Sequence, residues 1–399
     1  MDMTAKVDSI ENKSLPFGEE PSVSVVIPTW QRRDFVVRAV SSVLSQRIRN
    51  LEVIVIDDGS TDGTEEALAC MDSRIIYRRQ RQRGVSAARN AGIALARSAT
   101  VAFLDSDDRW LPDHLTVVTE VLRRHPEAVL CTTSPRFHTG GRQAVSAAEV
   151  GDALPSLFVE NIVGHPSGVA VRREALLAAG GFEERLPVME GWELWLRLAA
   201  LGPFAFLRRR TFIYQATHQS LSERAGRSGA YPGALAIVQA SAAAIAAGSK
   251  RPDQADLAIR VAGMAAYFDT LRALSTGDEK AVRTALAKAC VRLPMLSREP
   301  QLVANRISLF GFGTTARCRS FLTAAKDWPD PGADTPLYLR LHALLLSIRL
   351  ARGDALSAAL RGWPVMATPR FIARNLAVFG RLAQRTLQKV IYRGEEKTS

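Results

Sequence analysis

Closely spaced carboxylates follow an apolar segment in the first half of the chain. The stretch "FLDSDD" places Asp105, Asp107 and Asp108 directly after that segment. Carboxylates this close repel one another, and Mg²⁺ or Mn²⁺ relieves the repulsion because hard divalent cations bind oxygen ligands and bridge to substrate phosphates. We therefore predict a metal site here. The alternative is a solvated turn, with Asp108 as the N-cap of a helix that begins near Leu111.

A second acidic turn, "VIDDGSTDGT", ends another apolar segment. Asp57 or Asp58 at such a position can accept hydrogen bonds from a ribose hydroxyl or a base N–H. The alternative is a turn whose hydroxyl side chains cap the next helix. Trp30 follows an earlier apolar segment and can stack on a base, while Arg83 or Arg89, in "RRQRQRGVSAARNAG", can meet a phosphate near a helix start.

The apolar segments alternate with helical ones, and this alternation predicts the fold. Buried strands are indicated at 23–28, 51–56, 74–77 and in the run that precedes Asp105. Helical spacing is found at 34–44, 65–70 and 85–96. Such alternation is typical of a doubly wound, mostly parallel α/β sheet, which binds ligands beyond the carboxyl ends of its strands. The polar clusters are therefore expected to meet at one edge of the sheet.

Several motifs together resemble the family 2 glycosyltransferases, which have the GT-A fold. The resemblance is carried, in chain order, by "VSVVIPTWQRRDFVVRAVSSVLSQ", "LEVIVIDDGSTDGT", "GVSAARNAGIALA", "AFLDSDDRWLPDHL" and "WELWLRLA". It extends over roughly residues 21–225, and the C-terminal half carries no such match. The expected fold is thus a GT-A type α/β domain at 21–229, after a disordered lead-in at 1–20, followed by an all-helical domain at 230–399.

The resemblance implies inverting sugar transfer from a UDP- or GDP-type nucleotide-sugar donor, with Mn²⁺ or Mg²⁺ as the cofactor. The implied donor-binding residues are Pro28, Thr29, Trp30, Asp57, Asp58, Arg89, Asp105 and Ser106. The implied metal-binding residues are Asp105, Asp107, Asp108 and His218, the last in "FIYQATHQSLS". For His218, an ordinary surface histidine is the alternative.

The sequence departs from the family where the general base is expected. Members usually carry Glu-Asp before a tryptophan, and the aspartate is the base, whereas this chain has Glu190-Gly191-Trp192. Glu190 could take over, because glycine beside it loosens the backbone. Glu193 is a second candidate, although an ion pair with Arg197 at i+4 is its alternative. A third interpretation is a degenerate transferase homologue that binds nucleotide sugar or acts as a scaffold.

Two further residues are candidates for the acceptor side of the site. His165, in "GHPSGVAVRREAL", precedes a strand and has a side chain suited to proton transfer. Trp192 could form a wall on which a sugar stacks, with a place in the core as its alternative. The chain lacks the QxxRW motif typical of processive polysaccharide synthases of this family, so a non-processive enzyme is expected.

Composition and the C-terminal half bear on partners. The 399 residues carry a net charge of +12, which favours anionic partners, but no nucleic-acid motif is present and no nucleic acid is expected. Two helix–turn–helix patterns around 277–278 and 353–354 suggest tetratricopeptide-like hairpins. Residues 370–391 form a basic amphipathic pattern, suited either to an anionic membrane surface or to packing on the helical domain. The resemblance implies an enzyme of cell-envelope glycan or glycolipid synthesis with a saccharide or lipid-linked acceptor. The basic segment adds the expectation of a cytoplasmic location at the inner membrane face.

Overall fold

The computed structural model describes residues 21–136, 148–158, 161–215, 230–249, 251–276 and residue 284. The predicted N-terminal lead-in, the two Gly-Asp turns and the basic C-terminal segment lie outside these residues. The chain divides into two compact units, residues 1–261 and 262–399, and the sheet and the site described below lie in the first unit.

The first four strands in the chain form the parallel half of the sheet. Its strands are β1 (Val23–Thr29), β2 (Leu51–Asp57), β3 (Ile75–Arg79) and β4 (Thr100–Phe103). They stand in the order β3-β2-β1-β4, and their pairings with one another are parallel. Every residue of β1 and β2 is buried, which explains why both read as continuous apolar runs rather than as an alternation. The helices between successive strands are α1 (Arg33–Leu44), α2 (Thr64–Ala69) and α3 (Val85–Leu95).

The second half of the sheet is mixed. Strands β8, β6, β9 and β5 continue the order beyond β4; β8 is antiparallel to β4 and β6, whereas β6 and β9 are parallel. The elements are β5 (Arg109–Trp110), α4 (His114–Arg124), β6 (Leu130–Arg136), β7 (Glu149–Gly151), α5 (Leu154–Leu157), a 3₁₀ turn (Pro166–Gly168), β8 (Val169–Arg172), α6 (Arg173–Ala179), α7 (Glu190–Ala199) and β9 (Phe204–Ile213). The predicted mostly parallel α/β sheet is confirmed, and the antiparallel strands lie in its second half.

Close packing of α3 on β1 fixes one side of the site. A Cβ atom at Gly92 would lie 2.3 Å from Cγ1 of Val26, so only glycine allows the helix to approach the strand this closely. The core on the other face of the sheet is built from branched aliphatic side chains of β1, β2 and α1. Both contacts hold the carboxyl ends of β1 and β2 beside the start of α3.

Helices follow residue 230, as the alanine-rich sequence indicated. They are α8 (Tyr231–Gly248) and α9 (Gln254–Thr276). Helix α8 belongs to the first unit and contacts α7, where Ser241 Oγ donates to Glu193 Oε1 at 2.7 Å. None of the helices in the described residues has both the length and the apolar character that crossing a membrane requires.

Candidate active site

The ends of β1, β2 and β4 bring the polar segments to one edge of the sheet. Thr29 and Asp57 are register partners at the ends of β1 and β2, and the amide of Asp58 donates to the carbonyl of Thr29 at 2.9 Å. Leu104 continues β4 beside β1, because its amide donates a hydrogen bond to the carbonyl of Val26 at 3.1 Å. Asp105 therefore follows at the same edge of the sheet. Trp30, 37% exposed, lies directly after β1 and presents a ring to solvent there.

Asp57 and Asp58 are both held by the surrounding loops. Asp57 accepts hydrogen bonds from the amide of Ser60 at 2.8 Å and from the hydroxyl of Tyr77 at 2.6 Å, so each of its carboxylate oxygens has a partner. Asp58 accepts the amides of Arg83 and Gly84, both at 2.8 Å. The acid pair therefore organises the turn after β2 and the approach to α3, and Asp58 fixes the start of that helix.

Arg89 is the centre of the site. This buried side chain donates from Nη2 to Asp105 Oδ1 at 2.6 Å and from Nη1 to Glu190 Oε1 at 2.7 Å. Its guanidinium also lies 5.1 Å from the ring centre of Phe182. Burial opposes its positive charge, but Asp105 and Glu190 outweigh burial and raise the pKa of Arg89, which keeps it cationic. Arg89 thereby joins the acid loop after β4 to the start of α7.

The remaining acids of the loop at 105–108 differ in their surroundings. Asp107 Oδ2 accepts from Arg32 Nη1 at 2.5 Å. Burial and the charge of Asp105 raise the pKa of Asp107, although Arg32 opposes this shift. Asp108 is 1% exposed, and burial together with the charge of Asp105 raises its pKa to about 8. Ser106 lies between them and is buried.

The two glutamates of α7 have different environments. Glu190, whose side chain is 15% exposed, is the first residue of the helix and faces Arg89. Glu193 is buried, and it accepts from Arg197 Nε at 2.8 Å and from Ser241 Oγ at 2.7 Å. A second contact joins Arg197 Nη2 to the other oxygen of Glu193. Glu193 thus has the ion pair at i+4 that was its alternative interpretation, together with a link to α8.

Gly191 lies against the indole of Trp195. A Cβ atom at position 191 would lie 3.2 Å from Trp195 Nε1 and 3.4 Å from Cε2. Trp195 is fully buried and packs edge-on against Phe182, with 6.2 Å between the ring centres. Trp192 is also buried and donates from Nε1 to the carbonyl of Leu157 at 2.8 Å, which places it in the core.

His165 lies directly before the 3₁₀ turn at Pro166–Gly168. Its ring packs on Tyr214 at a centre distance of 4.3 Å, and burial lowers its pKa while the charges of Asp105 and Asp107 oppose that shift. His218 lies outside the described residues. Within the part of the chain that the structure describes, no group of three or more His, Cys, Asp or Glu side chains is arranged to hold a metal ion.

Two features of the site were missed by the sequence analysis. Arg32 holds Asp107, and the basic pair in "WQRRDF" directly after the first strand was the available signal. Gln31 and Met189, next to Trp30 and Glu190, adopt positive φ angles of 50° and 65°. Backbone strain of this kind concentrates at functional sites, and neither glutamine nor methionine predicts a positive φ angle.

Residues 24–176 match the family model described as "Glycosyl transferase family 2". These residues belong to glycosyltransferase family 2. The matched segment includes β1 to β4, the acid loop and Arg89, while α7 follows it in the chain. Among curated relatives, chondroitin synthase of Escherichia coli is 27% identical over 208 residues, which are 51% of this chain and 30% of that protein.

Another curated relative and a solved structure are also similar to this chain. The putative teichuronic acid biosynthesis glycosyltransferase TuaG of Bacillus subtilis is 41% identical over 100 residues, 24% of this chain and 40% of that protein. The chain spans about a third of the length of the first curated relatives that it matches, between 30% and 31%. The structure of S. aureus TarS 1–349 in complex with UDP-GlcNAc covers 84% of this chain and 89% of that chain, at 16% identity and a TM-score of 0.50. That similarity supports the GT-A fold.

Proposed function

We propose that the protein is an inverting glycosyltransferase that transfers a sugar from a nucleotide-diphosphate donor to a glycan or lipid-linked acceptor in cell-envelope polysaccharide or glycolipid synthesis. The observation that carries this proposal is Arg89, a buried cation shared by Asp105 and Glu190 at the carboxyl edge of the parallel strands. That edge is where α/β sheets bind nucleotides. The family relationship of residues 24–176 supports the same reaction class.

The donor nucleotide is assigned to the edge formed by β1 and β2. Trp30 offers an exposed ring for stacking on the base, while Pro28 and Thr29 provide the adjoining end of β1. Asp58 holds the loop that precedes α3 through the amides of Arg83 and Gly84, and it would meet the base edge. A UDP-type donor is the first to test, because TarS, which has the same fold, is bound to UDP-GlcNAc in its crystal structure.

Asp105 and Asp107 would hold Mn²⁺ or Mg²⁺ together with the donor diphosphate. Two carboxylates plus phosphate oxygens and water are an ordinary ligand set for these cations, so a third protein ligand is not required. Asp105 is paired with Arg89 and Asp107 with Arg32, so a bound metal ion would share these carboxylates with the two arginines or displace them. When bound, the metal would offset the charge that develops on the departing diphosphate.

Glu190 is assigned as the general base toward the acceptor hydroxyl. Its Oε1 accepts from Arg89, while Oε2 makes no hydrogen bond to the described residues and can meet an incoming group. Arg89 fixes the orientation of the carboxylate, as expected of a group that positions a base. Glu193 is assigned a structural role, because Arg197 and Ser241 occupy its carboxylate.

The acceptor is assigned to the side of Glu190 and His165. A non-processive reaction is proposed because the sequence lacks the QxxRW motif, and a cytoplasmic location at the inner membrane face because the basic 370–391 segment suits an anionic surface. Gly191 favours the second candidate, a degenerate homologue that binds nucleotide sugar without turnover. A Cβ atom at 191 would lie 3.2 Å from Trp195 Nε1, so a carboxylate there would require the indole to shift by a few tenths of an ångström.

The test is a donor screen on the purified full-length chain. Binding of UDP and of GDP is measured by calorimetry with and without Mn²⁺, and hydrolysis of their sugar conjugates is followed by released nucleotide. Asp107→Asn should weaken metal-dependent binding at least about tenfold, whereas Glu120→Gln, an exposed ion-pair residue of α4, should not change it. Absence of any nucleotide binding by the wild type would overturn the proposal. Nucleotide binding with no turnover on any donor would favour the degenerate homologue.

A further inference from the structure

We propose that Asp108 is a positioning residue rather than a metal ligand, and that Ser167 works with it to fix the acid loop, defined here as residues 105–108. The inference rests on the proposed function, since it assigns which acids of that loop are left to meet the metal. It also assigns a role to Ser167, which lies 59 positions from Asp108 in the sequence, in the stretch "GHPSGVAVRREAL" that was expected to line the acceptor side.

The contacts of Asp108 use both of its carboxylate oxygens. Oδ2 accepts from Ser167 Oγ at 2.6 Å, and Oδ1 accepts from the amide of Gln215 at 3.0 Å. Its own amide donates to the carbonyl of Asp105 at 3.0 Å. Because the side chain is 1% exposed, a metal ion could reach it only after both hydrogen bonds were broken and the loop was opened.

Ser167 joins the two ends of the acid loop through one hydroxyl. Its Oγ donates to Asp108 and accepts from the amide of Asp105 at 3.1 Å. The main chain of Ser167 is fixed as well, because its carbonyl accepts from Trp110 Nε1 at 2.7 Å. Ser167 is fully buried, so neither contact competes with water.

Gly168 explains why the turn that carries Ser167 can lie so deep. A Cβ atom at Gly168 would come within 2.7 Å of Cε1 of Phe212 and 2.9 Å of the carbonyl of Thr133. The 3₁₀ turn therefore packs directly against β6 and β9, and this position brings the hydroxyl of Ser167 to Asp105 and Asp108.

The two ends of this network face different ways. The side chains of Asp105 and Asp107 keep 27% and 16% exposure, so they are the acids of the loop that a ligand can reach. Asp108 is enclosed and ties the loop to Gln215, just beyond the end of β9. Asp108 thus links the metal-facing acids to the segment that leads toward His218.

Asparagine at position 108 separates a positioning role from ligation. In Asp108→Asn, Oδ1 can still accept from Gln215, and Nδ2 can donate to the second lone pair of Ser167 Oγ, so both loop contacts persist at the cost of the acceptor for the Ser167 hydroxyl proton. If Asp108 were a metal ligand, the same substitution would remove the negative charge that binds the cation. We expect Asp108→Asn to bind Mn²⁺ with UDP within about threefold of wild type, while Asp108→Ala and Ser167→Ala weaken that binding about tenfold or more.

The readouts are Mn²⁺ binding in the presence of UDP, by calorimetry and by electron paramagnetic resonance, and amide exchange of the peptides that contain Asp105 and Gln215. Exchange should quicken in Ser167→Ala and Asp108→Ala but remain slow in Asp108→Asn. Melting temperatures identify any variant that fails to fold. If the alanine variants fail to fold, the comparison of Asp108→Asn with wild type tests the proposal. Asp107→Asn is the matched control that loses a proposed ligand.

A loss of Mn²⁺ binding in Asp108→Asn as large as that in Asp107→Asn would overturn the proposal, and so would unchanged exchange in Ser167→Ala. If the wild type binds no Mn²⁺ with UDP, the proposed function fails instead. The exchange experiment then still tests the link between Ser167 and Asp108, because it requires neither metal nor nucleotide.

Discussion

Arg89 and Glu190 are joined by a hydrogen bond of 2.7 Å between a buried guanidinium and the first residue of α7. The two residues are 101 positions apart in the sequence. The same guanidinium holds Asp105, so one cation connects the acid loop to the helix that carries the proposed base.

Glu190→Gln should lower turnover by at least about 100-fold, because an amide cannot remove the proton of the acceptor hydroxyl. Affinity for UDP with Mn²⁺ should stay within about threefold, since the amide oxygen of the variant side chain can still accept from Arg89. The measurement is kcat beside calorimetric UDP binding. Glu193→Gln is the matched control on the same helix, and its kcat should remain within about fivefold of wild type. Equal losses in both variants would contradict the assignment of the base.

Glu193→Ala should destabilise the fold by about 3 kcal/mol, because it leaves the guanidinium of Arg197 without its carboxylate partner and Ser241 without its acceptor. The free energy of unfolding from urea titration is the quantity to measure. Glu120→Ala removes an exposed ion pair with Arg123 and should change stability little. If both variants unfold at the same urea concentration as wild type, the link between α7 and α8 contributes nothing.

Gly191→Asp should not create an active site of the usual family pattern. The new Cβ atom would press on the Trp195 indole at 3.2 Å, and overpacking of a buried site costs about 1–3 kcal/mol. We expect a lower melting temperature without a gain in kcat. In the double variant with Trp195→Phe, which removes the crowded ring atoms, the cost of the aspartate should be smaller. A large gain in kcat from Gly191→Asp alone would favour the degenerate-homologue interpretation.

His114 should make the fold sensitive to acid. Burial lowers its pKa from 6.5 to about 3, so the folded protein binds a proton there less readily than the unfolded chain. Stability from this group is therefore complete above pH 6.5 and falls as the pH drops toward 3, with a limiting slope of about 1.4 kcal/mol per pH unit. Its Nδ1 contacts Thr211 Oγ1 at 2.7 Å, and no carboxylate among the described residues opposes the shift.

The control variant for this prediction is His114→Asn. Its side chain keeps a polar atom near Thr211 but does not titrate between pH 6.5 and pH 4. The difference in unfolding free energy between wild type and variant should shrink between pH 6.5 and pH 4, as measured by urea titration at each pH. A constant difference across that interval would show that His114 is protonated equally in both states.

The sequence by itself determined the strand–helix alternation and the acids that follow β2 and β4. These features are local: continuous apolar runs form strands that are buried on both faces, and the connection rules of parallel sheets bring their carboxyl ends together. Asp105, Asp107, Arg89 and Glu190 could therefore be named from motifs. The sequence also favours Glu190 as the base and an ion pair with Arg197 for Glu193, but it does not give the long-range partners of the two glutamates, Arg89 and Ser241.

Tertiary structure decided which partners these residues contact. Packing of α8 on α7 brought Ser241 to Glu193, while α3 and β4 brought Arg89 and Asp105 to Glu190. Asp107 and Asp108 are adjacent in sequence, yet one meets Arg32 and the other is enclosed by Ser167 and Gln215. Burial and long-range partners determine the pKa of each carboxylate and its exposure to a ligand, and neither property follows from the residue type alone.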